Sequence, residues 1–177
     1  MENPVSVSAT ALEIDQQWMR HALSLAMRAE VHGEVPVGAV VVRAGQLLGE
    51  GWNQTISLND PSAHAEILAL RSAGRQVGNY RLPGCTLYVT LEPCCMCAGA
   101  LIHSRMARVV YGAADPKTGA AGGRFQLLSD LRHNHEVEIS AGCLAQECSA
   151  QLQAFFQRRR QEQSDRTSPV AVGGEGG

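Results

Sequence analysis

The sequence predicts a three-layer α/β/α sandwich built on a mixed five-stranded sheet. Short β-branched runs alternate with longer segments of helical periodicity, which is the pattern of an α/β domain. A hairpin opens the strand order and helices separate the later strands, so antiparallel and parallel pairings share the sheet. The 177 residues suit one domain with a sizeable core.

The elements follow in order. Residues 1–12 read as a disordered leader. A helix over residues 15–30 places Trp18, Ala22, Leu25 and Ala29 on one stripe, with Met19 and Ala26 beside it, and His32-Gly33 ends it. Residues 37–42 are continuous and β-branched, as a buried strand is. Ala44-Gly45-Gln46 forms the turn to a returning strand over 47–53. After a loop containing Asn59-Asp60-Pro61, a helix runs from His64 to about Ser72. Its core contacts are Ile67, Leu68 and Leu70, and Ala73-Gly74 stops it. A third strand, 86–91, runs into Glu92-Pro93-Cys94. The next helix, 94–104, carries Ala98, Gly99 and Ala100, small residues that permit close packing. A fourth strand covers 108–112. The Gly/Ala loop over 113–123 is long for a connection, which marks it as functional or mobile. A short helix is expected at 125–131, a half-exposed strand at 136–139 and a last helix at 144–160. From Gln161 the chain is polar and then Gly-rich, so the domain is expected at 13–160 with a disordered tail at 161–177.

Composition narrows the function. The formal net charge of -2 provides no global basic field, so a nucleic-acid partner would have to be held by a local patch. No apolar run is long enough to span a membrane, and residues 1–17 lack the basic start and apolar segment of a secretory signal, which points to the cytoplasm. Six cysteines are present, three of them crowded at 94, 95 and 97. In a reducing compartment that spacing favours a metal and free thiols over disulfides. Cys85, Cys143 and Cys148 read as small buried apolar residues.

The chemistry concentrates in two stretches, His64-Ala65-Glu66 and Pro93-Cys94-Cys95-Met96-Cys97. Cys94 and Cys97 are three apart, which puts both sulfurs on one face of a first helical turn, where exposed amides and the dipole favour thiolate. His64 supplies a third ligand from another helix start. Three protein ligands leave one zinc position open for water, the mark of a catalytic site. Glu66 then takes the proton of that water. The bland reading is a structural zinc with a fourth protein ligand, for which His103 and Cys95 are nearest. Both halves of the motif occur in order at helix starts, which favours the catalytic reading. His-x-Glu followed by Pro-Cys-x-x-Cys is also the recorded signature of zinc nucleobase deaminases.

The chain resembles the bacterial tRNA-specific adenosine deaminases of the cytidine deaminase superfamily, from about Trp18 to Arg160. Besides the zinc motif, the resemblance rests on Glu34-Val35-Pro36-Val37-Gly38-Ala39, Gly51-Trp52-Asn53, Tyr88-Val89-Thr90-Leu91-Glu92-Pro93-Cys94 and Asp115-Pro116-Lys117-Thr118-Gly119-Ala120-Ala121-Gly122. Phe155-Phe156 and the following arginines belong to it too. Gly123 departs from it, standing where the family often has Ser. The resemblance implies a cytidine deaminase-like fold, one zinc ion per subunit and a homodimer. It implies hydrolytic conversion of adenosine to inosine at the wobble position of the anticodon stem-loop of arginine tRNA. His64, Cys94 and Cys97 would hold the metal, Glu66 would move protons, and backbone amides near Glu92 and Cys94 would stabilise the tetrahedral centre. By the same resemblance Asn53 binds the flipped nucleoside, Asp115 approaches a neighbouring ribose, and one of Phe155 and Phe156, assigned as Phe156, stacks on a base. Lys117, Arg124, Arg158, Arg159 and Arg160 are candidate phosphate contacts, Lys117, Arg158 and Arg159 foremost. The competing enzyme reading is a free nucleobase or nucleoside deaminase of guanine or cytosine type. The competing class is a non-catalytic nucleic-acid-binding module with a structural zinc.

Overall fold

The computed structural model describes residues 10–167. Its sheet has the strand order β2-β1-β3-β4-β5 and is mixed. The elements are α1 (Ala11–Val31), β1 (Gly38–Arg43), β2 (Gln46–Trp52), α2 (Ala65–Val77), β3 (Thr86–Leu91), α3 (Cys95–His103), β4 (Arg108–Ala113), β5 (Glu138–Ala141) and α4 (Ala145–Thr167). β1 pairs antiparallel with β2 and with β3. β3–β4 and β4–β5 are parallel pairs. The hairpin turn puts Ala44 and Gly45 both at positive φ, as a two-residue connection between twisted strands requires.

Alternation along the strands sends side chains to two separate cores. Ala39, Val41, Leu87, Val89, Val109 and Tyr111 face a layer formed by α2 and α3. Val40, Val42, Tyr88 and Val110 face Met19, Ala22 and Leu25 of α1 and Cys148 of α4. The sandwich therefore has α2 and α3 on one face and α1 and α4 on the other. A buried polar staple crosses the second core: Asp15 accepts from Tyr88 Oη (2.9 Å) and from both terminal nitrogens of Arg108 (2.9 and 2.7 Å), tying α1 to β3 and β4.

Most boundaries fall within one residue of the sequence expectation and β5 lies two residues later than expected, but three helix ends and one expected helix differ by more. α2 does not stop at Ala73-Gly74; it continues to Val77 and is capped by Gly78 in the left-handed region. Its buried face is also not Ile67, Leu68 and Leu70, which are only partly covered, but Ala65, Glu66, Ala69 and Ala73. The reason lies across the interface. At Gly51 of β2 an added Cβ would sit 2.2 Å from Ala65 O, so helix and strand pack backbone to backbone and only small residues fit between them. Residues 125–131 form turns rather than a helix, held by the Leu128 amide on Ala120 O and the Asp130 amide on Leu127 O. α4 runs to Thr167, past the expected boundary at Arg160, because residues 161–166 are helix-tolerant and Gln161 donates to Asp165 one turn on (2.8 Å). At the other end, Thr10 caps α1 in a box with Glu13, so the helix begins before Asp15. The rest of the expected leader and tail lies outside the described residues.

Candidate active site

Two helix N-termini meet on the α2–α3 face. His64 is the N-cap of α2 and Cys94 is the N-cap of α3, yet neither side chain caps its own helix. Each is turned to the other instead, with His64 Nδ1 3.7 Å from Cys94 Sγ and 3.6 Å from Cys97 Sγ. The α2 amide at Ala65 is satisfied from outside, by Asn53 Oδ1 at 2.9 Å. With its Oδ1 on that amide, Asn53 keeps its NH2 end as the donor it can offer a ligand.

The three donor atoms all lie within 4.8 Å of one another. A tetrahedral zinc with arms of roughly 2.0–2.3 Å has edges of about 3.6 Å, so the observed spacing fits that ion without rearrangement. Cys95 is exposed and His103 lines a separate groove between α2 and α3, so among the described residues the cluster offers three candidate donors, not four. That is the arrangement of a site with an open coordination position.

Protonation in the cluster supports the same use. A hydrogen bond from the Cys97 thiol, with help from His64, brings Cys94 down to about 4 despite burial. The same bond and burial push Cys97 up, and the bond to Cys94 raises His64. Glu66, 4% exposed on the first turn of α2, is pushed up to about 7 by burial.

His64, Glu66 and Cys94 open into a cavity of about 230 Å³ with apolar walls from Val35, Val37 and Leu91 and polar ones from Asn53, Thr55, Asp115 and Thr118. That is below the roughly 300–1,000 Å³ of a pocket that encloses a whole drug-sized ligand, so it suits a single base. Asp115 is at the rim, but its carboxylate is engaged by its own turn, accepting from the amides of Lys117 (2.9 Å) and Thr118 (3.1 Å) and from Thr118 Oγ1.

The expected RNA contacts divide. Phe155 is 5% exposed and belongs to the interior, whereas Phe156 is 43% exposed. Phe156 shares a groove with Lys117 and Arg160. Arg158 points elsewhere, pairing with Glu30 of α1, and Arg159 lies 5.8 Å over the Phe155 ring. Of the amides near Glu92 and Cys94, that of Glu92 itself donates to Ala113 O (2.8 Å) at the end of the β3–β4 pairing.

Sequence reading gave no role to two buried carboxylates, Glu34 and Glu92. Burial raises the Glu34 carboxyl, but the amides of Ser57 and Ile56 and the hydroxyls of Ser57 and Thr55 outweigh it and hold it below its ordinary value. Glu34 thereby shapes the loop between Asn53 and His64. Two of its four donors are backbone amides, which no residue type in that loop announces.

Residues 12–113 match the family described as the cytidine and deoxycytidylate deaminase zinc-binding region. The chain is 56% identical over 151 residues to the tRNA-specific adenosine deaminase of Haemophilus influenzae, covering 85% of this chain and 87% of that one. It is 45% identical to the tRNA-specific adenosine deaminase of Bacillus subtilis over 84% of this chain and 92% of that one. Among solved structures, one from a study of A-to-I editing by tRNA:A34 deaminases at the wobble position of transfer RNA aligns with a TM-score of 0.74 at 41% identity. It covers 76% of this chain and 98% of its own. A guanine deaminase from Nitrosomonas europaea aligns with a TM-score of 0.71 at 22% identity, over 89% of this chain and 98% of its own, and shares the fold.

Proposed function

We propose, from the premise that this chain belongs to the cytidine and deoxycytidylate deaminase family, that it deaminates adenosine to inosine at the wobble position of arginine tRNA. The observation that carries the reading is the buried Glu66 carboxyl beside a three-donor metal cluster in a cavity the size of one base. Relatives named as tRNA-specific adenosine deaminases favour RNA over a free nucleobase as substrate.

His64, Cys94 and Cys97 would hold one zinc ion, whose chemistry is to lower the pKa of an attacking water toward neutrality. Glu66 takes one proton from that water and delivers it to the ring nitrogen as the water oxygen bonds to the amino-bearing carbon; it then takes the remaining proton of the added hydroxyl and passes it to the amine, so that the C–N bond breaks, ammonia leaves and the carbonyl forms. A carboxyl raised by burial toward neutral pH suits a group that must both accept and release a proton. The Asn53 NH2 end orients the base, and Val35, Val37 and Leu91 exclude bulk water around it. Because the cavity admits one base, the adenosine must turn out of the anticodon loop, which single-stranded loops allow at low cost. Phe156 then offers a stacking face outside the cavity, with Lys117 and Arg160 beside it for phosphate. Arg158 is paired with Glu30, so we rank Arg160 and Arg159, which line a groove with Phe156, above it for that contact.

The test is to incubate the zinc-loaded protein with an arginine anticodon stem-loop bearing adenosine at the wobble position and to score inosine. Free adenosine and guanine serve as competing substrates. Inosine in RNA supports the reading; deamination of a free base alone moves the protein to the alternative. In the same assay Arg160→Ala and Phe156→Ala are expected to raise KM for the stem-loop about tenfold or more, and Arg158→Ala far less, with the salt dependence of binding reduced for Arg160→Ala only.

We further propose that the protein acts as a homodimer in the cytoplasm. No helix among the described residues is long and apolar enough to cross a membrane. The groove between α2 and α3 exposes Ile67, Leu70 and Tyr80, and Gly99 beside it has open space where a side chain would be. A second copy would cover these residues. Sedimentation equilibrium is expected to give a dimer for the native protein and a monomer for Leu70→Glu; a monomeric native protein that is fully active would overturn this.

A further inference from the structure

The loop over 113–123 borders the cavity with Asp115 and Thr118 and reaches the outer groove with Lys117. Such a loop must be fixed if these residues are to meet a substrate in register. Its anchor is not within the loop. Glu92 is the residue between β3 and Pro93, two before the Cys94 ligand, and it is 2% exposed. Its carboxylate accepts three loop amides: Asp115 on Oε2 (2.9 Å), and Ala121 (2.9 Å) and Gly123 (2.8 Å) both on Oε1. No cation pairs with it among the described residues. The loop wraps its own N–H groups around the acid as a backbone nest does around an anion. The approach is close enough that a Cβ added at Gly119 would lie 2.4 Å from Glu92 Cδ. Gly119 also pairs with Cys94, and the Ala120 amide donates to Pro93 O (2.8 Å), so loop and ligand segment form one unit.

We infer that Glu92 is a positioning residue for RNA recognition, whose carboxylate sets where Asp115 and Lys117 stand relative to the metal cluster. This rests on the function proposed above. The role is in specificity rather than in proton transfer, because all three bonds hold loop backbone and none reaches Glu66 or a side chain of the metal cluster.

Glu92→Gln tests it with little change of volume. One amide oxygen can still accept from Ala121 and Gly123, but the NH2 end then faces the Asp115 amide, which loses its acceptor. Hydrogen bonds to a charged group hold strongly enough that the loop is expected to loosen by about tenfold or more. Hydrogen–deuterium exchange at residues 115–123 and trypsin cleavage after Lys117 and Arg124 should accelerate by that factor. The zinc content should stay that of the native protein. With the stem-loop substrate, KM should rise about tenfold while kcat falls less. Gly119→Ala, which leaves the acid intact but crowds it, should give the same signature and serves if Glu92→Gln does not fold. Exchange, cleavage and KM all unchanged in both variants would overturn the inference. Exchange and cleavage need no turnover, so a native protein inactive on RNA, with the loop loosened as expected, would overturn the function and leave the anchor standing.

Discussion

Glu66→Gln is expected to lower kcat on the stem-loop by about 10⁴-fold, the upper end of what a general acid–base contributes, because one residue serves both proton transfers. Zinc content should not change, since Glu66 is outside the three-donor cluster. Loss of activity without loss of metal separates a proton-transfer role from a ligand role. A Glu66→Gln protein that kept more than about a tenth of native activity would return the site to a structural zinc. The same variant should also be more stable than its parent. Burial holds the folded carboxyl at about 7 against an ordinary 4.5. A carboxyl raised on folding costs nothing below its unfolded pKa; the cost grows between the two values and is complete above the folded one. Gln carries no such cost. In zinc-stripped protein the melting temperature of Glu66→Gln should therefore match the parent at pH 4 and exceed it at pH 8, by up to about 3 kcal/mol of stability. Stability lost at a catalytic position is consistent with a site arranged for chemistry rather than for folding.

The convergence of His64, Cys94 and Cys97 and the presence of five strands were legible in the sequence for different reasons. Residues 86–91 form a continuous β-rich run, and β3 occupies the same six residues. The ligands were legible because zinc accepts few residue types and a helix start fixes their spacing. Helix ends were less so. Gly74 looked like a stop, but a single interior glycine is tolerated when tertiary packing holds the helix, and Gly78 supplies the left-handed cap. The buried face of α2 was misjudged because hydrophobicity points to Ile67 and Leu70, whereas close approach to Gly51 selects Ala65 and Ala69. Adjacent residues on a helix cannot both face inward, so sequence required Phe155 and Phe156 to separate without saying which was buried. That depended on how α4 is rotated on β4. Glu34 and Glu92 were invisible as anchors because their function lies in backbone amides at least 21 residues away.

Cys97→Ala is expected to abolish zinc binding and activity together. Cys97 is fully buried on the first turn of α3, 3.6 Å from His64 Nδ1, and no other donor among the described residues is in position to replace it. Loss of a supporting residue around a metal site costs roughly 10–100-fold in affinity, and loss of a ligand must cost more. The consequence reaches stability, because zinc bound only by the folded chain stabilises it by mass action. A chelator should lower the melting temperature of the native protein and leave that of Cys97→Ala almost unmoved. Cys95→Ala is the contrast. Cys95 lies between Cys94 and Cys97 in sequence but is exposed and outside the cluster. Its substitution should leave one zinc per chain, native activity and the native response to chelator. If Cys95→Ala lost zinc, the cluster would have four protein ligands, and the open coordination position on which the proposed chemistry depends would not exist.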